Sequence, residues 1–301
     1  DGADDASVSI AQGGGGEVWR VYDRVRGETV ALKILSKDAG DQEAIALVRE
    51  AVTLSSLEGL GLPRVLAFGS IPEDGRRYMV RELVNGESLE ALFARATKSP
   101  WLLGLVQASE QLTILHRSGI LHGDIKPANI IVGESGDATL VDLGLAAKFK
   151  EAGVAPEGLT PRFAAPELLE GEALTVRAEV FSLGKTLEEG LRESSRSLDY
   201  ETILALTQIS QRATETNPAK RFPSGDEFAA AIRSAAHFSP SHAFSTKPWR
   251  VIGLDATATR LLGDIESMAA GDVIFVEGAE GSGRSTLLRR IGWSLGISGK
   301  R

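Results

Sequence analysis

Cysteine is absent from the 301-residue chain, which excludes disulfides, zinc–thiolate centres and thiol nucleophiles together. No run reaches the roughly 18 consecutive apolar residues that a membrane-spanning helix needs, so no membrane partner is expected. A basic surplus is missing too. Against 41 Asp and Glu stand 33 Lys and Arg, and the formal charge of −8 argues against a nucleic-acid partner. The opening Asp1-Gly2-Ala3-Asp4-Asp5 has neither the basic start nor the apolar core of a signal peptide, so a cytoplasmic setting is expected. The first residue is not an initiator methionine and Ser298-Gly299-Lys300-Arg301 completes no element, which suggests a piece of a longer protein. Internal repeats and low-complexity tracts are lacking. What remains, 43% hydrophobic and 25% charged residues, is the composition of an ordinary globular protein.

Along the chain the hydrophobic period changes. Val8-Ser9-Ile10, Val18 to Tyr22 and Thr29 to Leu35 are β-rich runs separated by glycine turns. From residue 41 to 57 the period is helical, with Leu47, Ala51 and Leu54 on one face and Glu50 in the middle of it. Residues 78–84 read as a further strand. Ser99-Pro100 supplies a cap and a first-turn proline for a helix running to about His116. Short strands are expected at 130–132 and 139–141, then helices to about His237. The fold class that follows is α+β and bilobal, with a β-rich N-lobe over 8–84 and a helical C-lobe over 85–238. Residues 239–250, rich in Ser and Pro, read as a linker, and 251–301 as the start of another domain.

One loop concentrates chemistry. His122-Gly123-Asp124-Ile125-Lys126-Pro127-Ala128-Asn129 brings a carboxylate, an ammonium and an amide within a few residues of one another, between apolar segments. Phosphoryl transfer needs a carboxylate to orient and deprotonate the attacking hydroxyl, plus cations and metal ligands to offset charge on the phosphate oxygens. Further on, Asp142-Leu143-Gly144 directly follows an apolar strand, a suitable position for a carboxylate that ligates a metal. Glu50 on its apolar face needs a cation, and Lys33 in Val30-Ala31-Leu32-Lys33 is the natural partner.

These motifs resemble the bacterial branch of the eukaryotic-type Ser/Thr protein kinases over about 230 residues. The resemblance implies transfer of the γ-phosphoryl group of ATP, with Mg²⁺, to a Ser or Thr hydroxyl of a protein substrate in signal transduction. Asp124 and Lys126 are then catalytic, with Lys33 held by Glu50 on the α- and β-phosphates, and Asn129 and Asp142 are metal ligands. The glycine-rich run from Ile10 to Val18 covers the phosphates, with Gly13, Gly14 and Gly16 in it and Ala11 where the family has its first glycine. Backbone groups near Glu82 and Val84 meet adenine, and Val18, Ala31 and Ile131 line its pocket. Thr160 to Glu167 matches the substrate-receiving segment that ends in Ala-Pro-Glu, and Glu167 is expected to pair with Arg221.

The sequence also departs from the family. Gly123 replaces the arginine that clamps a phosphorylated activation loop, and residues 143–159 contain no Ser, Thr or Tyr. Both facts predict that loop phosphorylation is not the switch. Arg81 falls at the gatekeeper position, where a buried guanidinium is expected to need a carboxylate, unless the strand is slipped by one residue. Glu179 stands where the family has an aspartate that ties down the catalytic loop. These changes leave open a catalytically weak or inactive nucleotide-binding pseudokinase, and His-Gly-Asp leaves open a small-molecule phosphotransferase.

Near the C-terminus an apolar strand at 273–277 is expected to lead into Gly278-Ala279-Glu280-Gly281-Ser282-Gly283-Arg284-Ser285-Thr286 and a helix. This resembles a P-loop with Arg284 in the lysine position, a second nucleotide site built from Gly278, Gly283, Arg284, Ser285 and Thr286. It implies the start of an ATPase module acting as a partner of the kinase in the same chain.

Overall fold

The computed structural model describes residues 8–13, 16–57, 61–95, 100–148, 158–194, 198–239, 255–269, 272–277, 287–288 and 291. The first layer is an antiparallel five-stranded sheet of β1 (Val8–Gly13), β2 (Gly16–Asp23), β3 (Glu28–Leu35), β4 (Val65–Ser70) and β5 (Arg77–Glu82), in the order β1-β2-β3-β5-β4. The start of β2 packs tightly on the end of β3: a Cβ on Gly16 would lie 2.3 Å from the Ile34 carbonyl oxygen, so only glycine fits there. Helix α1 (Asp41–Ser56) follows β3 in sequence and buries Leu47, Glu50, Ala51 and Leu54, the stripe that the sequence predicts.

The second layer is helical. After β6 (Glu87–Ser88) and α2 (Leu89–Arg95), helix α3 (Trp101–Arg117) runs through the core with most of its length buried. Strands β7 (Ile120–Leu121), β8 (Ile130–Val132), β9 (Ala138–Leu140) and β10 (Ala147–Lys148) form two small sheets, β10-β7 and β6-β8-β9. Helices α4 (Pro166–Leu169), α5 (Val176–Ser194), α6 (Tyr200–Ala213) and α7 (Gly225–Ala235) complete it. One apolar cluster runs from Leu47 and Met79 through Trp101, Leu112 and Leu140 to Leu183, Leu206 and Phe228, so the sheet and the helices share a core. A strand-rich half and a helical half fit the expected bilobal architecture.

Several boundaries differ from expectation. Pro100 is itself the N-cap of α3 rather than its first-turn residue, because helical geometry starts only at Trp101; Ser99 lies outside the described residues. Strand β5 ends at Glu82 rather than at residue 84, and the chain from Leu83 leaves the ladder. Residues 272–277 form no strand. A strand needs a neighbour to accept its ladder hydrogen bonds, and none pairs with this stretch among the described residues. Val273 and Phe275 are exposed there, while Val276 packs with Leu261 and Ile265 of α8 (Asp255–Glu266) against Leu287 and Ile291. Gly278, Gly283, Arg284, Ser285 and Thr286 lie outside the described residues, as do Gly14 and most of the 239–250 stretch.

Candidate active site

Lys33 on β3 is held from two sides. Its ammonium lies 2.7 Å from Glu50 Oε2 on α1 and 2.9 Å from Asp142 Oδ1 beyond β9. Burial alone would lower the Lys33 pKa, but the two carboxylates outweigh it and raise the value above that of a free lysine. Burial likewise pushes Asp142 up, and the Lys33 charge and hydrogen bond reverse the sign, so its carboxyl sits below the ordinary range. Glu50 is only 1% exposed, so the cation that its position demands is present. Asp142 itself has φ of 66°, a left-handed backbone unusual for a non-glycine residue and a form of strain that collects at functional sites.

The loop between β7 and β8 is wired together. Thr160 Oγ1 donates to Asp124 Oδ1 at 2.9 Å, and Lys126 Nζ reaches Asp124 Oδ2 at 2.6 Å and Thr160 Oγ1 at 3.0 Å. Asn129 Nδ2 donates to the Asp124 carbonyl at 2.8 Å and to Asp124 Oδ2 at 3.0 Å. Both amide protons of Asn129 are thus spent on Asp124, and its carbonyl oxygen is left to accept or to ligate. Asp142 Oδ1 takes the lysine, which leaves its other oxygen for the same purpose. Two hard oxygen donors from an amide and a carboxylate suit Mg²⁺, which takes few protein ligands and completes its shell with water and phosphate.

The catalytic loop hangs on Glu179. Its Oε1 accepts from the Gly123 amide at 2.6 Å and its Oε2 meets His116 Nε2 at 2.6 Å, both deep in the core. The longer Glu179 side chain therefore does reach a loop amide, in the place where the family that the sequence resembles has an aspartate. His116 escapes the sequence reading; its only signal is a histidine in the last turn of a buried helix, shortly before the loop. Gln111 escapes it as well: the side chain accepts from Leu140 N at 2.6 Å and donates to the Gly61 carbonyl at 2.9 Å, joining β9 to the segment before β4. Gly123 has φ of 88°, and a Cβ there would lie 2.4 Å from the Leu145 carbonyl oxygen. The backbone after Asp142-Leu143-Gly144 thus packs directly against the position where the family carries arginine. Arg49 Nη1 on α1 donates to the Gly144 carbonyl at 3.3 Å, a second tether on that segment.

Glu82, Leu83, Val84 and Ile131 border a hollow of about 380 Å³ that extends to Gly61, Pro63 and Thr139. The expected hinge residues and Ile131 are therefore neighbours. Val18 and Ala31 do not line this hollow. Instead the register pairs Val18 with Lys33 and Ala31 with Arg81, so these side chains share one face of the sheet. Ile10 and Gly13 lie in β1, where the register pairs Gly13 with Gly16. Arg81 is on the Lys33 face, so the strand is not slipped. Yet it has no carboxylate within ion-pair distance among the described residues, contrary to expectation; its Nη1 donates to the Glu82 carbonyl at 3.4 Å. Away from the loop, Arg221 grips Glu167 with two bonds of 2.6 and 2.8 Å, as the sequence predicts.

Comparison with known proteins agrees with this geometry. The family model described as a protein kinase domain matches residues 6–238, well over half of the chain. Serine/threonine-protein kinase PknA of Mycobacterium tuberculosis H37Rv is 30% identical over 253 residues, covering 74% of this chain and 59% of that protein. Serine/threonine-protein kinase PknD of the same organism is 28% identical over 268 residues, covering 79% of this chain and 40% of that protein. The DNA damage-responsive serine/threonine-protein kinase RqkA of Deinococcus radiodurans is 29% identical over 186 residues, covering 59% and 28%. The chain spans about three-fifths or less of the length of these relatives. With a lysine–glutamate–aspartate cluster, an Asp–Lys–Asn loop and a buried Glu–Arg bridge assembled on this fold, the chain belongs to the protein kinase family.

Proposed function

We propose that the chain is a Ser/Thr protein kinase that transfers the γ-phosphoryl group of ATP to a protein hydroxyl. The observation that carries the reading is the Asp124–Lys126–Thr160 triangle beside Asn129, because it joins a proton acceptor, a cation and a metal ligand on one short loop. Asp124 orients the substrate hydroxyl and takes its proton as the oxygen–phosphorus bond forms and the β–γ bridge breaks, releasing ADP. Lys126 offsets charge on the transferred group, and Lys33, fixed by Glu50, positions the α- and β-phosphates. Asn129 and Asp142 would hold Mg²⁺, which when bound neutralises charge on the phosphate oxygens. Ile10, Gly13, Gly14 and Gly16 would cover the phosphates, with Glu82 and Val84 meeting the base. The Lys126–Thr160 contact favours a Ser/Thr protein kinase over a small-molecule phosphotransferase, and the intact Lys33–Glu50 pair favours activity over a pseudokinase.

The test is incubation with Mg²⁺, labelled ATP and a generic basic protein, followed by identification of the modified amino acid. Phosphoserine or phosphothreonine is expected; label found only on metabolites, or nowhere, contradicts the reading. We infer further that the glycine-rich segment from Gly278 to Thr286, including Gly283, Arg284 and Ser285, opens a P-loop ATPase module that partners the kinase in a longer, cytoplasmic signalling chain. The motif supports this, and the test is nucleotide binding by a longer chain that carries Arg284→Ala.

A further inference from the structure

Arg81 is a buried cation whose Nε has no hydrogen-bond partner among the described residues. It is 8% exposed, on the same sheet face as Ala31 and Lys33, and burial pushes its pKa down while the charges of Glu50 and Asp142 push it back up. Among the described residues its Nε has no partner although water is excluded from it, and its Nη1 makes only the long 3.4 Å contact to the Glu82 carbonyl. Proteins rarely leave a guanidinium so, because an unpaired buried donor forfeits its water bonds for nothing. A ligand that brings acceptors to this point recovers that loss.

The chemistry of the group says which ligand. A guanidinium carries donors only, in a planar fork. The carbonyl of Glu82, one of the backbone groups expected to meet the base, is itself engaged by that fork. A base edge arriving here therefore meets the donors of the fork beside that carbonyl, which keeps one lone pair. Adenine offers one acceptor and one donor on that edge, N7 and the 6-amino group. Guanine and hypoxanthine offer two acceptors, N7 and O6, the pair that an arginine fork matches. We propose that Arg81 reads the purine and that the cleft binds 6-oxopurine nucleoside triphosphates at least as well as ATP. The proposal rests on the reading of this cleft as the nucleotide site.

Equilibrium binding of ATP, GTP and ITP, each with Mg²⁺, to the folded wild type and to Arg81→Met tests it. The wild type should bind GTP and ITP alike, each as tightly as ATP or tighter. Arg81→Met should shift the GTP-to-ATP affinity ratio towards ATP by about ten- to hundred-fold. Removing an unsatisfied buried cation should leave the variant folded, which a thermal melt checks. An unchanged ratio in Arg81→Met, or GTP binding without ITP binding, overturns the role of Arg81 while leaving the nucleotide site intact. Failure of all three nucleotides to bind overturns both.

Discussion

Gly123→Ala is a small change with a large predicted effect. Residue 123 has φ of 88°, so any L side chain there meets left-handed strain of about 1–2 kcal/mol. The added Cβ would also lie 2.4 Å from the Leu145 carbonyl oxygen and 2.9 Å from the Leu145 Cβ. A backbone carbonyl cannot rotate away like the tip of a side chain, so the segment after Asp142 must shift, an overpacking cost of about 1–3 kcal/mol. Together these give about 2–5 kcal/mol, or a melting temperature lower by roughly 4–20 °C for a domain of this size. Gly75→Ala isolates the first part. Its φ is 74° but nothing lies within 4 Å of the new Cβ, so only the backbone strain applies. Thermal and urea denaturation of both variants should show Gly123→Ala clearly worse. If Gly123→Ala is no more destabilising than Gly75→Ala, the close packing of Leu145 on the catalytic loop is refuted.

Other outcomes follow from the same contacts. Phosphatase treatment should leave activity unchanged, because residues 143–159 contain no hydroxyl side chain and Gly123 supplies no cation; a large loss in a transfer assay contradicts this. Arg221→Ala strands the buried Glu167 carboxylate and should cost about 3–5 kcal/mol in urea unfolding, with Arg221→Lys failing to restore the two-bond grip. Asp142 has a folded pKa below its unfolded value of about 3.9, so its contribution to stability is full above that value and is lost as pH falls through the folded one. Acid titration of Asp142→Asn should accordingly show a shallower loss of stability below about pH 4 than the wild type, and equal slopes would contradict the Lys33 contact.

Much of the site could be read from sequence because its chemistry is costly out of context. Glu50 on an apolar stripe demanded Lys33, and the short loop from His122 to Asn129 compressed several roles into local spacing. The support for that loop was harder to see. His116 and Glu179 lie on different helices, and nothing local signals that they meet at 2.6 Å. Arg81 was legible as an anomaly but not in its outcome, since the lack of a carboxylate partner depends on how α1 and β5 pack. The expected strand at 273–277 illustrates the opposite limit: a run of β-branched and aromatic residues favours an extended chain, but a strand exists only where another accepts its hydrogen bonds.

The central claim is that Asp124 acts on the substrate hydroxyl and not on the nucleotide. Asp124→Asn, assayed for phosphate transfer to protein with nucleotide affinity measured in parallel, tests it most directly. The account predicts that transfer falls by about 10²–10⁴-fold while ATP affinity stays within a few-fold of wild type. Undiminished transfer, or loss of ATP binding in step with transfer, would contradict it.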